Sequence, residues 1–209
     1  MKTTNNFKPI LFSTPMVQAI LRGEKTQTRR KIKHKNIIEE IRPVMKCIEN
    51  ENDWNKYILT DEFGEDFLIK PKYKVGDILW VRETFQILPP NMVFYKADLE
   101  NKNTGDWKPS IFMPKSACRL FLKLKDIRVE RLNNISESDS LQEGIQPFTK
   151  DNNLFKYGLD GWEWQSMPKY ARDAYKTLWQ KINGEKSWEE NPFVWVYEFE
   201  RTDESFACS

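Results

Sequence analysis

Apolar and polar positions alternate most regularly over residues 118–131, where Leu120, Leu122 and Leu124 oppose Phe121, Lys123 and Lys125, after which Ile127 and Val129 oppose Arg128 and Glu130. A period of two sustained that far predicts one long, half-buried strand. Residues 193–199 are apolar almost throughout and follow Asn191-Pro192, which predicts a final strand covered on both faces. Residues 74–84 read as a turn and then a strand rich in branched and aromatic side chains, with Leu79 and Val81 or their neighbours inward. Short apolar runs at 9–13 and 92–96 predict two more strands. Residues 57–60 and 67–70 flank an acidic centre that contains Gly64, the signature of a hairpin, and segment 44–70 reads as an insertion covering one side of the core.

Helical spacing marks three other stretches. In residues 14–22, Met16, Ala19 and Ile20 recur on one face, Thr14 is placed as N-cap with Pro15 at the first helical position, and Gly23 stops the run. In residues 136–144, Ser136 caps, Asp139 stands three later as a near match to a capping box, and Gly144 terminates. Glu143 then sits in a last turn, where a carboxylate opposes the helix dipole at a cost of roughly a few tenths of a kcal/mol. Residues 169–182 give the longest helix, with Tyr170, Ala174, Leu178, Trp179 and Ile182 on one face and Gly184 as stop. Between these elements, 101–105 is a polar loop, and 107–115 carries Pro109 and Pro114, which exclude a helix or a central strand and leave an ordered loop pinned by aromatic burial. Residues 150–166 read as an aromatic surface loop. The fold expected is α+β: strands near Ile10, Leu79, Leu122 and Val196 in one curved, largely antiparallel sheet or barrel, with the first helix closing one end.

Composition narrows the class. The 209 residues, 39% hydrophobic and 13% aromatic, suit a single domain over 1–209 with insertions at about 44–70 and 150–166. A net charge of +2, from 33 basic and 31 acidic residues, excludes a protein that coats nucleic acid through charge alone, so any nucleic-acid site is a local patch. Cys47, Cys118 and Cys208 are odd in number and far apart, and the chain has 1 histidine, so neither a disulfide framework nor a metal site is expected. No cofactor is implied. No apolar run approaches the roughly 20 residues that cross a bilayer, and the polar start lacks a signal peptide's core. A soluble, cytoplasmic protein without a membrane partner is the expectation; the oligomeric state is left open.

Candidate chemistry concentrates in residues 19–30, where the helical run ends at Gly23 and hydroxyls and cations begin to alternate. Lys25 is placed at the turn, and Thr26, Thr28 and Arg30 on one face of the following strand. Arg29, Arg30, Lys31 and Lys33, with His34 and Lys35, form the most basic window of the chain. That window fits a solvated strand edge and a phosphate-tracking patch equally well, with His34 an exposed member rather than a base. Trp80 and Trp107 are candidate stacking surfaces for bases, although burial is the commoner fate of a tryptophan. Glu83, at a strand end, is more commonly a partner for a cation than a catalytic carboxylate.

Gly23-x-Lys25-Thr26-x-Thr28-x-Arg30 after a short helix, Val75-Gly76-Asp77 opening a strand, Ile135-Ser136 to Glu143-Gly144-Ile145, and the terminal strand at 194–199 together resemble the ASCH domain family, in the same order. The resemblance implies a PUA-like β-barrel with helices at its openings and a central cavity facing RNA or a nucleoside. The blocks at 80–84 and 191–192 are similar to those of longer versions carried by phages and prophages. Some members of the family hydrolyse the acetyl amide of acetylcytidine through a lysine, a threonine and a glutamate, which match Lys25, Thr28 and Glu143; others are RNA-binding or ribonucleolytic. The resemblance thus implies an RNA- or modified-nucleoside-binding protein with a cationic cavity. Its alternatives are an amidohydrolase with a Lys25, Thr28 and Glu143 triad, and a phage-type assembly protein or a ribonuclease. Thr26, Arg29, Arg30, Lys31, Lys33 and Trp80 are the expected binding residues.

Overall fold

The computed structural model describes residues 7–32, 44–46, 57–60, 66–98 and 105–203. Its strands are β1 (Phe7–Leu11), β2 (Gln27–Lys31), β3 (Val44–Lys46), β4 (Tyr57–Thr60), β5 (Asp66–Ile69), β6 (Ile78–Arg82), β7 (Phe85–Leu88), β8 (Met92–Tyr95), β9 (Phe121–Arg131), β10 (Gln146–Thr149), β11 (Phe155–Gly158) and β12 (Phe193–Thr202). Its α-helices are α1 (Thr14–Leu21), α2 (Glu137–Gln142) and α3 (Ala171–Asn183). The architecture is mixed α+β.

The main sheet has the order β1-β6-β9-β12-β2. Pairing is antiparallel from β6 to β2 and parallel between β1 and β6. The four stretches that the hydrophobic pattern assigned to one sheet all lie in it, and β2 joins them at the edge beyond β12. Among the described residues no ladder joins the end strands β1 and β2; instead the Arg30 guanidinium crosses between them and donates to the Leu11 carbonyl at 2.9 Å. Three small antiparallel sheets, β3-β4-β5, β7-β8 and β10-β11, are added to it.

Burial on both faces explains the composition of β12. It pairs with β9 on one side and β2 on the other, and both of its faces are covered: Tyr57 packs on Trp195 and Tyr73 on Tyr197, Val194 and Val196 lie in the main core, and a continuous apolar run replaces alternation. The change of phase in β9, from Leu122 and Leu124 to Ile127 and Val129, falls where its register with β12 shifts between Glu198 and Phe199. A bulge there inserts one residue and turns the next apolar pair back to the core. Phe121, expected on the polar face, is buried as well, because Ile78, Trp80 and Phe121 form a second apolar cluster with Phe7 and Cys118.

Other differences from the expected elements have local causes. Thr14 is the first residue of α1 and Ser13 its N-cap, in extended conformation and without a side-chain capping bond. The buried face of α3 is Ala171, Ala174, Tyr175, Leu178 and Trp179, while Tyr170 precedes the helix and Ile182 is exposed. Segment 150–166 is not all loop, since β11 pairs along β10. In segment 107–115 the pin is Met113, packed with Phe85 and Ala117, whereas Phe112 is 69% exposed. No described helix is long and apolar enough to cross a membrane.

Candidate ligand site at two helix ends

Two helices end in the same way, and their ends meet. At α1, Gly23 takes φ 78°, its N–H bonds the Ile20 carbonyl at 3.0 Å, and the Glu24 N–H bonds the Ala19 carbonyl at 2.9 Å. At α2, Gly144 takes φ 98°, its N–H bonds Leu141 at 2.8 Å, and the Ile145 N–H bonds Ser140 at 3.3 Å. Both are Schellman turns, which need a residue in the left-handed region and so favour glycine. The Thr26 N–H then donates to the Gln142 carbonyl at 2.9 Å, joining the turn after α1 directly to the last turn of α2. Ser136 caps the other end of α2, accepting from the Asp139 N–H at 3.0 Å.

This junction places Lys25 against Glu143. Lys25 Nζ donates to Glu143 Oε2, to the Glu143 carbonyl and to the Gln27 carbonyl, each at 2.7 Å, and both side chains are buried. The dipole conflict at Glu143 is thereby answered: a cation sits at the carboxyl end of α2 and satisfies one of its free carbonyls. Burial pulls the Lys25 ammonium below the ordinary lysine value, Glu143 pulls it back, and Arg30 and Arg29 add to the lowering. Three acceptors for three protons still hold it in the charged form.

The second oxygen of Glu143 faces Arg29, at 3.2 Å from Nη1. Arg29 also donates from Nε to Glu130 Oε1 at 2.8 Å and from Nη1 to Gln27 Oε1 at 3.0 Å. Its Nη2 stands 2.6 Å from Glu130 Oε1 and 3.3 Å from Asp139 as charge contacts without hydrogen-bond alignment. Gln27 bonds Asp139 at 2.8 Å and also Gln142, and Arg128 reaches Glu198, Asp139 and Glu130. Arg29 is therefore the hub of an internal charge network and has no exposed side-chain surface.

A cavity of about 60 Å³ lies beside this network, lined by Thr28, Arg29, Arg30, Lys31 and Glu143 from the β2 and α2 side. Met16 of α1 and Tyr175, Leu178, Trp179, Ile182 and Asn183 of the α3 region complete it. Of the expected triad, Lys25 and Glu143 are in contact, and Thr28 and Glu143 share the cavity wall. No Lys25 proton goes to the Thr28 hydroxyl, since the three are taken by Gln27 and Glu143. Burial raises the Tyr175 hydroxyl well above its ordinary value, and the negative charge of Glu143 adds to the effect.

The other sequence candidates are dispersed. Thr26 contributes its backbone, donating to Gln142 and accepting from the Phe199 N–H at 2.8 Å. Arg30 stacks over the Phe12 ring at 5.5 Å, and Lys31 pairs with Glu190 at 2.8 Å. With Arg29 internal and these two engaged, β2 does not present a row of open cations. Lys33, His34 and Lys35 lie outside the described residues, as do Cys47 and Cys208; Cys118 is a free thiol. Trp80 is buried in the second cluster rather than offered for stacking. Trp107 borders a shallow groove of about 630 Å³ with Phe85, Ile87 and Phe112, remote in sequence from the Lys25 site. Glu83 is buried and paired through two bonds with Arg119, at 2.9 and 3.0 Å, which is the structural role expected of a strand-end acid. No group of three or more His, Cys, Asp or Glu side chains is placed to hold a metal ion among the described residues.

Sequence reasoning missed Gln27, Tyr175 and Trp179. The last two stand four apart on the inward face of α3, and that spacing signals burial without showing which cavity it borders.

In sequence, the chain matches no protein-family model and no curated protein. Among solved structures it is similar to the ASCH domain of Lactobacillus crispatus JV V101, known from a high-resolution crystal structure, with 15% identity over 94% of this chain and 79% of that one. The TM-score is 0.37, a likeness too low to carry any conclusion about fold or activity.

Proposed function

We propose that the protein binds a nucleoside-type ligand, as a modified nucleoside or as an exposed base of RNA, in the cavity beside Glu143. The observation that supports this is the state of that carboxylate: Oε2 is held by Lys25 and Oε1 by Arg29, so an ionised acceptor stands on the wall of a partly apolar cavity. Recognition sites combine apolar surface with a few fixed polar groups in this way. An ionised carboxylate accepts from the exocyclic amino group or ring N–H of a base, and Arg30 and Thr28 add donors at the same wall. The motif resemblance to ASCH proteins points to the same ligand class. At about 60 Å³ the cavity admits a small group rather than a whole base, so the base edge or its substituent enters while the sugar stays outside.

Amide hydrolysis is the second reading, favoured by Thr28 and Glu143 on one cavity wall with the Lys25 cation behind the carboxylate. In it, the Thr28 oxygen adds to an acyl carbon as its proton passes to Glu143; collapse breaks the C–N bond and returns that proton to the leaving nitrogen. Water then hydrolyses the acyl ester to release the acid and regenerate the hydroxyl. Lys25 acts as a fixed positive charge.

Calorimetric titration with cytidine, uridine, acetylcytidine and a short single-stranded RNA tests the binding proposal. Saturable binding of at least one, weakened in Arg30→Ala, is expected; no heat with any of them refutes it. Acetate release from acetylcytidine that disappears in Thr28→Ala supports hydrolysis, and binding without release limits the site to recognition.

A further inference from the structure

We infer that the groove beside Phe112 is the face on which two copies of this chain pair about a two-fold axis, each placing Phe112 in the groove of its partner. This face is separate from the proposed nucleoside site: the groove and the Glu143 cavity share no lining residue.

The groove has a volume of about 630 Å³, and its wall includes Phe85, Ile87, Trp107, Pro109 and Pro114. Phe112 belongs to the same wall and is 69% exposed, more than any other large apolar side chain among the described residues; Ile111 beside it is 59% exposed. The turn that carries the two is braced from several sides. Ser110–Phe112 forms one 3-10 turn between Pro109 and Pro114, with the Phe112 N–H bonded to the Pro109 carbonyl at 3.0 Å and the Met113 N–H to Ser110 at 3.1 Å. Met113 is buried against Phe85 and Ala117, and the Arg82 guanidinium donates to the Ile111 carbonyl. The turn thus presents Ile111 and Phe112 to solvent from a pinned backbone, which lowers the ordering cost that a loose loop brings to an interface. Exposed apolar side chains next to an apolar groove make the kind of patch that marks an association surface.

Self-complementarity points to a second copy as the occupant. A two-fold interface sets the same patch against itself, so each projection needs a recess within its own patch. This patch has both, Phe112 as projection and the groove as recess. Its charges follow the same rule. Asp106 and Lys108 both line the groove, and neither is ion-paired among the described residues. A two-fold axis near Trp107 sets Asp106 of one protomer against the partner's Lys108, and Lys108 against the partner's Asp106, with no charge left over. Any other partner must bring an apolar projection and this charge pair in inverse order, whereas the chain already carries them. The groove is lined by 8 residues, against roughly 20–30 a side in a standard interface, so the dimer is weak, with a dissociation constant on the order of tens of micromolar.

Sedimentation equilibrium of the whole chain, from about 1 μM to about 1 mM, tests the pairing. A monomer–dimer equilibrium is expected within that range. Phe112→Ser is expected to weaken it about a hundredfold, because each dimer loses two apolar anchors worth about tenfold each. The side chain is exposed, so the variant's urea unfolding should match wild type and separate lost pairing from lost folding. Asp106→Lys and Lys108→Asp each set like charges together and are expected to weaken pairing about tenfold when alone. An equal mixture of these two variants is expected to recover dimers, since each then meets the charge it lacks. A chain that stays monomeric up to the highest concentration overturns the proposal. So does a dimer indifferent to Phe112→Ser, or one that the mixture does not recover. Assembly that runs on past the dimer shows a head-to-tail contact and overturns the two-fold arrangement.

Discussion

Lys25 and Glu143 stand 118 residues apart in the chain and 2.7 Å apart in space, with both side chains out of water. Neither is placed by its own element alone. Lys25 follows the glycine turn that ends α1, Glu143 caps α2, and the backbone bond from Thr26 to Gln142 holds one turn against the other. Removing one member of a buried pair leaves the other charged and unpaired, at a typical cost of about 3–5 kcal/mol.

Lys25→Met and Glu143→Gln are each expected to lower unfolding free energy within that range, measured by urea denaturation. The double variant is expected to lose clearly less than the sum, because the second substitution removes a charge that the first left without a partner. Additive losses would mean that the two residues act independently.

Gly144 is a second point of dependence. Its φ is 98°, and a Cβ built there stands 3.1 Å from Ala19 Cβ and 3.3 Å from Lys25 Cβ. Gly144→Ala therefore combines left-handed strain with a contact that pushes α1 and Lys25 away from α2. A loss of about 1–3 kcal/mol is expected, with weaker binding of whichever nucleoside the wild type takes. Gly76, also at positive φ but with open space around it, is the control: Gly76→Ala carries strain without displacement and leaves binding unchanged.

Acid should weaken the network through Asp139. Burial works to raise its pKa, but bonds from Gln27 and Ser136 and the charges of Arg29 and Arg128 outweigh it and hold the carboxyl below its ordinary value. In the window between the lowered folded pKa and the unfolded value of about 3.9, the unfolded chain binds more protons than the native protein. The contribution is complete above the unfolded value and is lost as pH falls through the folded one. Stability measured from pH 6 downward is expected to fall less steeply in Asp139→Asn than in wild type; parallel curves would remove Asp139 as a cause.

Charge reversal at Lys31 should leave RNA binding almost untouched. Lys31 already pairs with Glu190, and its neighbour Arg29 is internal, so neither is expected to track phosphates. A cation lost from a real single-strand track reduces the slope of log K against log salt by about 0.7. An unchanged slope is expected for Lys31→Glu in a filter-binding series, and a drop of that size would restore the surface-patch interpretation.

Much of the sheet was legible because strand signals are local. The alternation around Leu122, the apolar run at Phe193 and the turn before Ile78 each depend on side chains a few residues apart, and period-two patterning records burial directly. Strand β7 was not legible, because Phe85 and Ile87 are too few to show a period and the pairing with β8 supplies the rest. The parallel pairing of β1 with β6 was equally hidden, since a short strand such as residues 7–11 has no preference that fixes its partner's direction.

The sequence by itself determined the two helix ends, the glycines that close them and the placement of Lys25 and Glu143 one residue or two from those glycines. Cap chemistry is set by the φ values and hydrogen bonds of adjacent residues, so it can be read along the chain. Tertiary structure decided which way the cations face and what they meet. A basic run reads the same whether it is solvated or buried, and only the packing of β9 and α2 across β2 brings Glu130, Asp139 and Glu143 to Arg29 and turns an apparent surface cation into an internal one. The same packing brings Trp179 of α3 to the cavity beside Glu143, because contacts between distant elements depend on how the apolar faces stack and no local pattern encodes that stacking.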